Sequence, residues 1–355
     1  MSVTIIIMNI QFLLVFFLSF FFLLVFRKVA IRIGLVDKPN ARKQHQGSIP
    51  LVGGISLYFV LAIYLLFSQS SLYNSGLYFF SITVLITIGV LDDKYDVSFK
   101  LRLIIQTLLA LFAMHDTGFQ LQKLGNLLGS GDINIGYLSI IFTVLAVIGS
   151  INAFNMVDGI DGLLGCLSII SFASLAILLS MANQYWALNF CIIFIIALVP
   201  YVLMNLGVLG QKRKVFMGDA GSMLIGMTIV WLLISASQLG DKAPMRPITA
   251  VWIIAVPLMD MAAIMIRRVR RGHSPFKPDR EHLHHICQRL GLSSNQTLLF
   301  ICFISLICSA FGIYGEYAHI SESIMFSVFI CSFLLYSLVI SYIWRITTFF
   351  RKLKN

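Results

Sequence analysis

Two aspartates, Asp92 and Asp93, end an apolar run and precede Lys94. Adjacent carboxylates repel each other unless a cation or a shared proton lies with them. The pair therefore reads as a base with a metal or substrate anchor, or else as a solvated helix end. A stronger pattern follows in 152–163, NAFNMVDGIDGL, where Asn152, Asn155, Asp158 and Asp161 recur at three-residue intervals. On a helix they would share a face, but Gly159 and Gly162 predict a break where backbone can approach a ligand closely. Hard oxygen donors of this kind suit Mg²⁺ or Mn²⁺. An Asx-rich turn with helix caps is the plainer alternative.

The basic run 212–214 leads into VFMGDAGS, which sets Asp219 between glycines at the start of a further apolar stretch. A helix N-terminus favours an anion, so Asp219 is either a cap or a metal ligand, and position alone does not separate the two. Further on, RRVRRGHSPFKPDREHLHH carries Arg268, Arg271, His282, His284 and His285. The histidines lack the i, i+4 spacing of a helical zinc site, whereas guanidinium and imidazole both suit phosphate oxygens. The segment reads as a nucleotide or pyrophosphate clamp, with a solvated surface loop as its alternative. Turn-forming and basic residues also mix in 37–54, DKPNARKQHQGSIPLVGG. An anionic headgroup site fits there, although topology alone explains the charges.

The composition says what must position these groups. Of 355 residues, 59% are hydrophobic and only 12% charged, and the mean hydropathy is +0.91. Soluble domains carry about 25% charge, so this chain could not cover a folded core with polar surface. It is expected to be an all-α polytopic membrane protein forming one domain over 1–355. About eleven transmembrane helices are expected, near 4–26, 48–67, 75–91, 99–115, 136–153, 162–181, 186–206, 220–238, 247–266, 297–316 and 323–345. An ionised side chain at a helix centre costs roughly 2.5–3.5 kcal/mol, and the interiors are nearly free of them. The first span is read as a retained helix: its basic residues follow the apolar core, the reverse of a signal peptide. The six cysteines show no CxxC spacing and read as buried thiols.

A net charge of +11 would suggest nucleic acid in a soluble protein. Here it reads instead as positive-inside topology, with no nucleic-acid partner. With the N-terminus outside and the C-terminus cytoplasmic, every Lys and Arg but Lys123, Lys242 and Arg246 falls on the inner side. A large cytoplasmic loop is expected over 267–296. Most carboxylates, among them Asp37, Asp96, Asp260, Asp279 and Glu281, lie on that same face. Acids are not needed there for topology, and together with the basic residues they suit a divalent metal and a polyanionic substrate. A transporter is the alternative class, since intramembrane carboxylates mark ion pathways. Against it, the acids crowd on one side and no carboxylate is expected at the middle of a span.

Taken together, the five segments DKPNARKQHQGSIPLVGG, LDDKYD, NAFNMVDGIDGL, KVFMGDAGS and SPFKPDREHLHH resemble, in order and over almost the whole chain, the polyprenyl-phosphate N-acetylhexosamine-1-phosphate transferase family. Leu283 between His282 and His284 is the one departure. The resemblance implies an eleven-span fold in the bacterial cytoplasmic (inner) membrane with its active site on the cytoplasmic face. It implies transfer of N-acetylglucosamine 1-phosphate from UDP-N-acetylglucosamine to undecaprenyl phosphate with release of UMP, at the first membrane step of O-antigen or enterobacterial common antigen type glycans. A sister activity using UDP-N-acetylmuramoyl-pentapeptide is the alternative donor choice. By the same resemblance Asp219 and Asn155 bind Mg²⁺ (or Mn²⁺), Asp92 or Asp93 deals with the acceptor phosphate, and Asp158 and Asp161 complete the acidic centre. His282, His284 and His285 contact the nucleotide-sugar with help from Arg268 or Arg271, while Lys94 and Asn152 complete the expected substrate contacts. Oligomeric state is left open, a homodimer among the alternatives.

Overall fold

The computed structural model describes residues 2–38, 47–67, 75–117, 119–238, 243–276 and 281–354, the side chains of 2–9, 116–117 and 344–354 excepted. The 39–46 part of the first motif, with Asp241, Lys242, Lys277, Asp279 and Arg280, lies outside the described residues. In chain order the helices are α1 Ser2–Ile33, α2 Gly53–Phe67, α3 Ser75–Tyr95, α4 Phe99–Thr117, α5 Ser139–Met156, α6 Leu163–Met181, α7 Tyr185–Asn205, α8 Gly218–Ser237, α9 Pro247–Ile253, α10 Ala255–Arg270, α11 Leu283–Arg289, α12 Ser294–Tyr317 and α13 Glu322–Lys354. The only strands among the described residues are β1 Val36–Asp37 and β2 Ile49–Pro50, a short antiparallel pair.

Each of the eleven expected apolar segments is helical. Eight helices are long and apolar enough to cross a membrane, and the bent pair α9–α10 makes a ninth if it is one span. The shortfall has physical causes. α2 has 15 residues and so reaches about 22 Å, short of a bilayer core of about 30 Å. α4 carries Lys100 and Arg102 in its first turn. The 247–266 segment breaks at Ile254, where α9 and α10 meet at 82°. The expected 267–296 loop is also partly helical: α10 runs on through Arg270, α11 occupies the middle, and a Ser293–Gln296 capping box starts α12. The segment's histidines are thereby tied to a helix start.

The core centres on α8, which is buried along nearly its whole length between α2, α3, α5 and α6. Small residues let backbones touch here, as in membrane helix packing generally. A Cβ on Gly54 would overlap the backbone of Gly221, and one on Gly89 the backbone of Ala220. The Gly89–Ala220 contact fixes the site, because it presses the end of α3, with Asp92 and Asp93, against the first turn of α8, with Asp219. Aromatic rings fill the far half of α8: Trp231 stacks on Phe119 at 4.4 Å, and Tyr78 shares a hydrogen bond of 2.8 Å with Thr228. All six cysteines are free thiols; Cys191, Cys287 and Cys308 are buried, while Cys331 is exposed on α13.

Candidate active site

At the start of α8 the two neighbouring aspartates separate in role. Asp93 accepts the backbone N–H groups of Asp219 (2.8 Å) and Ala220 (3.3 Å), so it caps α8 from a different helix. Gly218 leaves room for it: φ is +75°, and a Cβ there would meet the Asp93 carboxylate. Asp219 is therefore not the cap. Its carboxylate faces the Asn155 amide, whose Nδ2 donates to Oδ1 at 2.5 Å and to Ser222 Oγ at 2.8 Å. Arg102 completes the group from α4, with Nη1 bound to Asp92 Oδ2 and 3.6 Å from Asp219 Oδ2. The Asp92 side chain is buried, whereas Asp219 is 39% exposed.

The break foreseen at Gly159 and Gly162 is present. α5 ends at Met156, and Gly162 takes the left-handed φ of +79° before α6 begins. Asn152 and Asn155 stand on the last turns of α5, while Asp158 and Asp161 lie in the turn beyond it. Asn152 donates to Gln106 Oε1 at 2.9 Å and to the Ile148 carbonyl at 2.8 Å. Asp161 pairs with Lys214 Nζ at 2.5 Å. Asn205 bridges the two motifs, accepting from Gly162 N (2.6 Å) and donating to the Val215 carbonyl (2.9 Å). The end of the 37–54 motif joins the same layer, since Val52, Gly53 and Gly54 donate to the carbonyls of Phe216 and Met217.

The histidines divide. His282 is buried, and its Nδ1 lies 2.8 Å from Asp260 Oδ2. His284 is 3% exposed, its ring resting against Gly159, and its Nε2 is buried without a hydrogen-bond partner. Burial, reinforced by the neighbouring His285 and His282, depresses His284 to a pKa of about 3, so its ring is neutral at physiological pH. His285 is half-buried, with its ring 4.1 Å from that of His284. Of the arginines, Arg268 is buried and donates to the Pro275 carbonyl at 2.6 Å, whereas Arg271 is exposed and pairs with Glu281 at 2.7 Å. Phe276 stacks on Phe99 at 4.0 Å, which holds this segment over the start of α4, one turn from Arg102. Lys94 lies exposed at the end of α3 over the ring of Tyr95.

Asp92, Asp93, Asn155 and Asp219 are thus in one cluster, with Asn152 joined to it through α5. The Asp158–Asp161 turn meets the histidines through Gly159 and His284. Lys94 touches neither group. Four further residues were not expected at the site from sequence. Arg102, Lys214 and Asn205 are polar groups whose partners lie far along the chain. Asp260, expected on the inner face, is buried in α10 and bonded to the turn that opens α11. A lone carboxylate inside an apolar run was its signal.

Asp92, Asp219 and Asn155 fit a hard divalent cation. They are oxygen-bearing groups from three helices: Asp92 and Asp219 meet the positive charge of Arg102, and Asn155 is joined to Asp219 by its amide. Among the described residues no three His, Cys, Asp or Glu side chains form a closed metal cluster. Mg²⁺ does not need one, because it commonly takes one or two carboxylates and leaves its other positions to water and substrate phosphates.

The chain is also similar to known proteins over nearly its whole length. The family model for glycosyl transferase family 4 matches residues 75–237, from α3 through α8. A protein of Pasteurella multocida (strain Pm70) is 49% identical over 97% of this chain and 96% of its own length. One of Yersinia pestis is 44% identical over 98% and 95%, and one of Escherichia coli (strain K12) 42% over 96% and 93%. All three carry the name undecaprenyl-phosphate alpha-N-acetylglucosaminyl 1-phosphate transferase.

Proposed function

The chain belongs to the undecaprenyl-phosphate alpha-N-acetylglucosaminyl 1-phosphate transferases of glycosyl transferase family 4, and from that premise we propose how its residues perform the transfer. The protein is a membrane transferase that moves N-acetylglucosamine 1-phosphate from UDP-N-acetylglucosamine to undecaprenyl phosphate. An oxygen of the acceptor phosphate bonds to the β-phosphorus of the donor as the bond to the α-phosphate oxygen breaks, and UMP carries off that electron pair. The observation that supports the placement best is the meeting of Asp92 and Asp219 from separate helices at Arg102, with Asn155 on Asp219.

Asp92, Asp219 and Asn155 would hold Mg²⁺ or Mn²⁺, which when bound neutralises charge on the diphosphate. Arg102 and Lys214 offset the repulsion between two polyanions. A phosphate monoester has a second pKa of about 6, so any proton that Asp92 removes from the acceptor is its last. Asp93 holds the first turn of α8, and with it Asp219, in place. Asp158, Asp161 and His285 face the donor, while His282 and His284 support that wall from behind. The reading keeps eleven spans, counting α2, which is short, α4, which is charged at its start, and the α9–α10 pair, which is bent, as the remaining three. The acidic centre lies on the cytoplasmic side, because the basic residues gather at that end. The product would serve glycans of the O-antigen or common-antigen type.

The test uses UDP-N-acetylglucosamine labelled on the sugar and on the β-phosphorus, with purified protein, undecaprenyl phosphate and Mg²⁺. Both labels are expected in the lipid phase, with UMP released and EDTA stopping the reaction. Sugar label alone with UDP released would overturn the mechanism. Preference for the pentapeptide sugar would overturn the donor, and no UMP release in detergent would favour the transporter class.

A further inference from the structure

Asp260 is 3% exposed in the body of α10, and the protein spends three hydrogen bonds on it. His282 Nδ1 lies 2.8 Å from Oδ2, the backbone N–H of Leu283 donates to Oδ1 at 3.0 Å, and the hydroxyl of Tyr336 donates to Oδ1 at 2.7 Å. The three partners come from two directions: the turn that opens α11, and α13, the last helix of the chain. Burying a carboxylate costs several kcal/mol unless it is paired and hydrogen-bonded, so a carboxylate here is an expensive fastener. An ionised carboxylate only accepts, which puts a proton on His282 Nδ1 and fixes both the tautomer and the plane of the ring. That plane is passed along. The rings of His282 and His284 are nearly parallel at 12° with centroids 5.7 Å apart, and His284 in turn meets His285 at 4.1 Å and Gly159 of the acidic turn.

We propose that Asp260, with Tyr336 as its clamp, is the positioning residue of the histidine row: acting through His282, it sets His285 against the donor nucleotide-sugar. This rests on the reading that the histidines serve the donor. It makes α13 a determinant of donor affinity, although Tyr336 is separated from the histidines by the whole of α12. Tyr336→Phe removes one donor and leaves the ring in place. Asp260→Asn does more, because its amide N–H would face the ring nitrogen and favour the opposite tautomer.

The experiment measures KM for UDP-N-acetylglucosamine and for undecaprenyl phosphate, with thermal midpoints, in Tyr336→Phe, Asp260→Asn, His282→Ala and the Asp260→Asn/His282→Ala pair. Tyr336→Phe is expected to raise donor KM about threefold and Asp260→Asn about tenfold or more, with acceptor KM unchanged. If Asp260 acts through His282, the double variant is within about twofold of His282→Ala alone, as coupling requires. An Asp260 effect that multiplies that of His282→Ala overturns the proposal. So does a fall in thermal midpoint with donor KM unmoved in Tyr336→Phe, the milder variant that stands in if Asp260→Asn does not fold. If His282→Ala itself leaves donor KM unchanged, the donor-side reading of the histidines fails and takes this proposal with it. If His282→Ala raises donor KM while the other two single variants do not, only the proposal fails.

Discussion

The two ends of the bundle each hold an arginine among carboxylates, and they use it differently. Where α9 begins, Arg246 spends every guanidinium nitrogen: Nε on Glu316 (3.1 Å), Nη1 on the Ile320 carbonyl (2.6 Å) and Nη2 on the Gly315 carbonyl (2.7 Å). Glu316 also accepts from the Arg246 backbone and from Thr249. That network is closed, and it ties α9 to the α12–α13 turn. At the opposite end Arg102 reaches Asp92 and Asp219 through a single nitrogen, and Asp219 stays 39% exposed. A closed network satisfies its own charges and fastens helices. An open one has carboxylate oxygens left to offer a cation and guanidinium donors left to offer a phosphate.

The comparison would break most visibly at Asp219. Asp219→Asn should lower UMP release about a thousandfold and leave the thermal midpoint within about 2 °C, since the α8 cap is Asp93; kinetics and a thermal scan on one preparation check both. Gly159→Ala should lower turnover by a factor of tens, because the new methyl group would overlap the His284 ring; donor KM is the first quantity to inspect. Arg246→Gln should do the reverse of Asp219→Asn. It should cost about 2–3 kcal/mol of stability by leaving Glu316 unpaired, with turnover per folded molecule unchanged; denaturation alongside specific activity measures this. Equal loss of turnover there would mean that the closed network also serves the site.

The smallest expected effect is acid sensitivity at His284. Its pKa is depressed to about 3 in the folded protein, below the unfolded value of about 6.5. The unfolded chain therefore takes up the proton first. Stability is intact above pH 6.5, and it falls as the pH drops toward 3. Between pH 7 and pH 5 the loss from this one group is about 2 kcal/mol. His284→Phe should flatten that part of the midpoint-against-pH curve, and an unchanged curve would place the sensitivity elsewhere.

Much was legible without coordinates. Apolar runs showed where the helices are, because a chain this poor in charge has few other ways to satisfy its backbone. The alternation of Asn, Asp and Gly showed the break after α5, since glycine is the residue that tolerates φ of +79°. The clustering of acids with basic residues pointed to the segments that the fold brings together around Asp92, Asp219 and Arg102. Spacing could not say which aspartate is a cap and which faces outward, because Asp93 and Asp219 are 126 residues apart and only the Gly89–Ala220 contact brings them together. Nor could it separate three histidines that differ in burial and in partner. The sequence by itself determined the class of protein, its helices and the types of group at the site. Which partner each charge meets was decided only by tertiary packing, because a hydrogen bond depends on distance in space and not on distance along the chain.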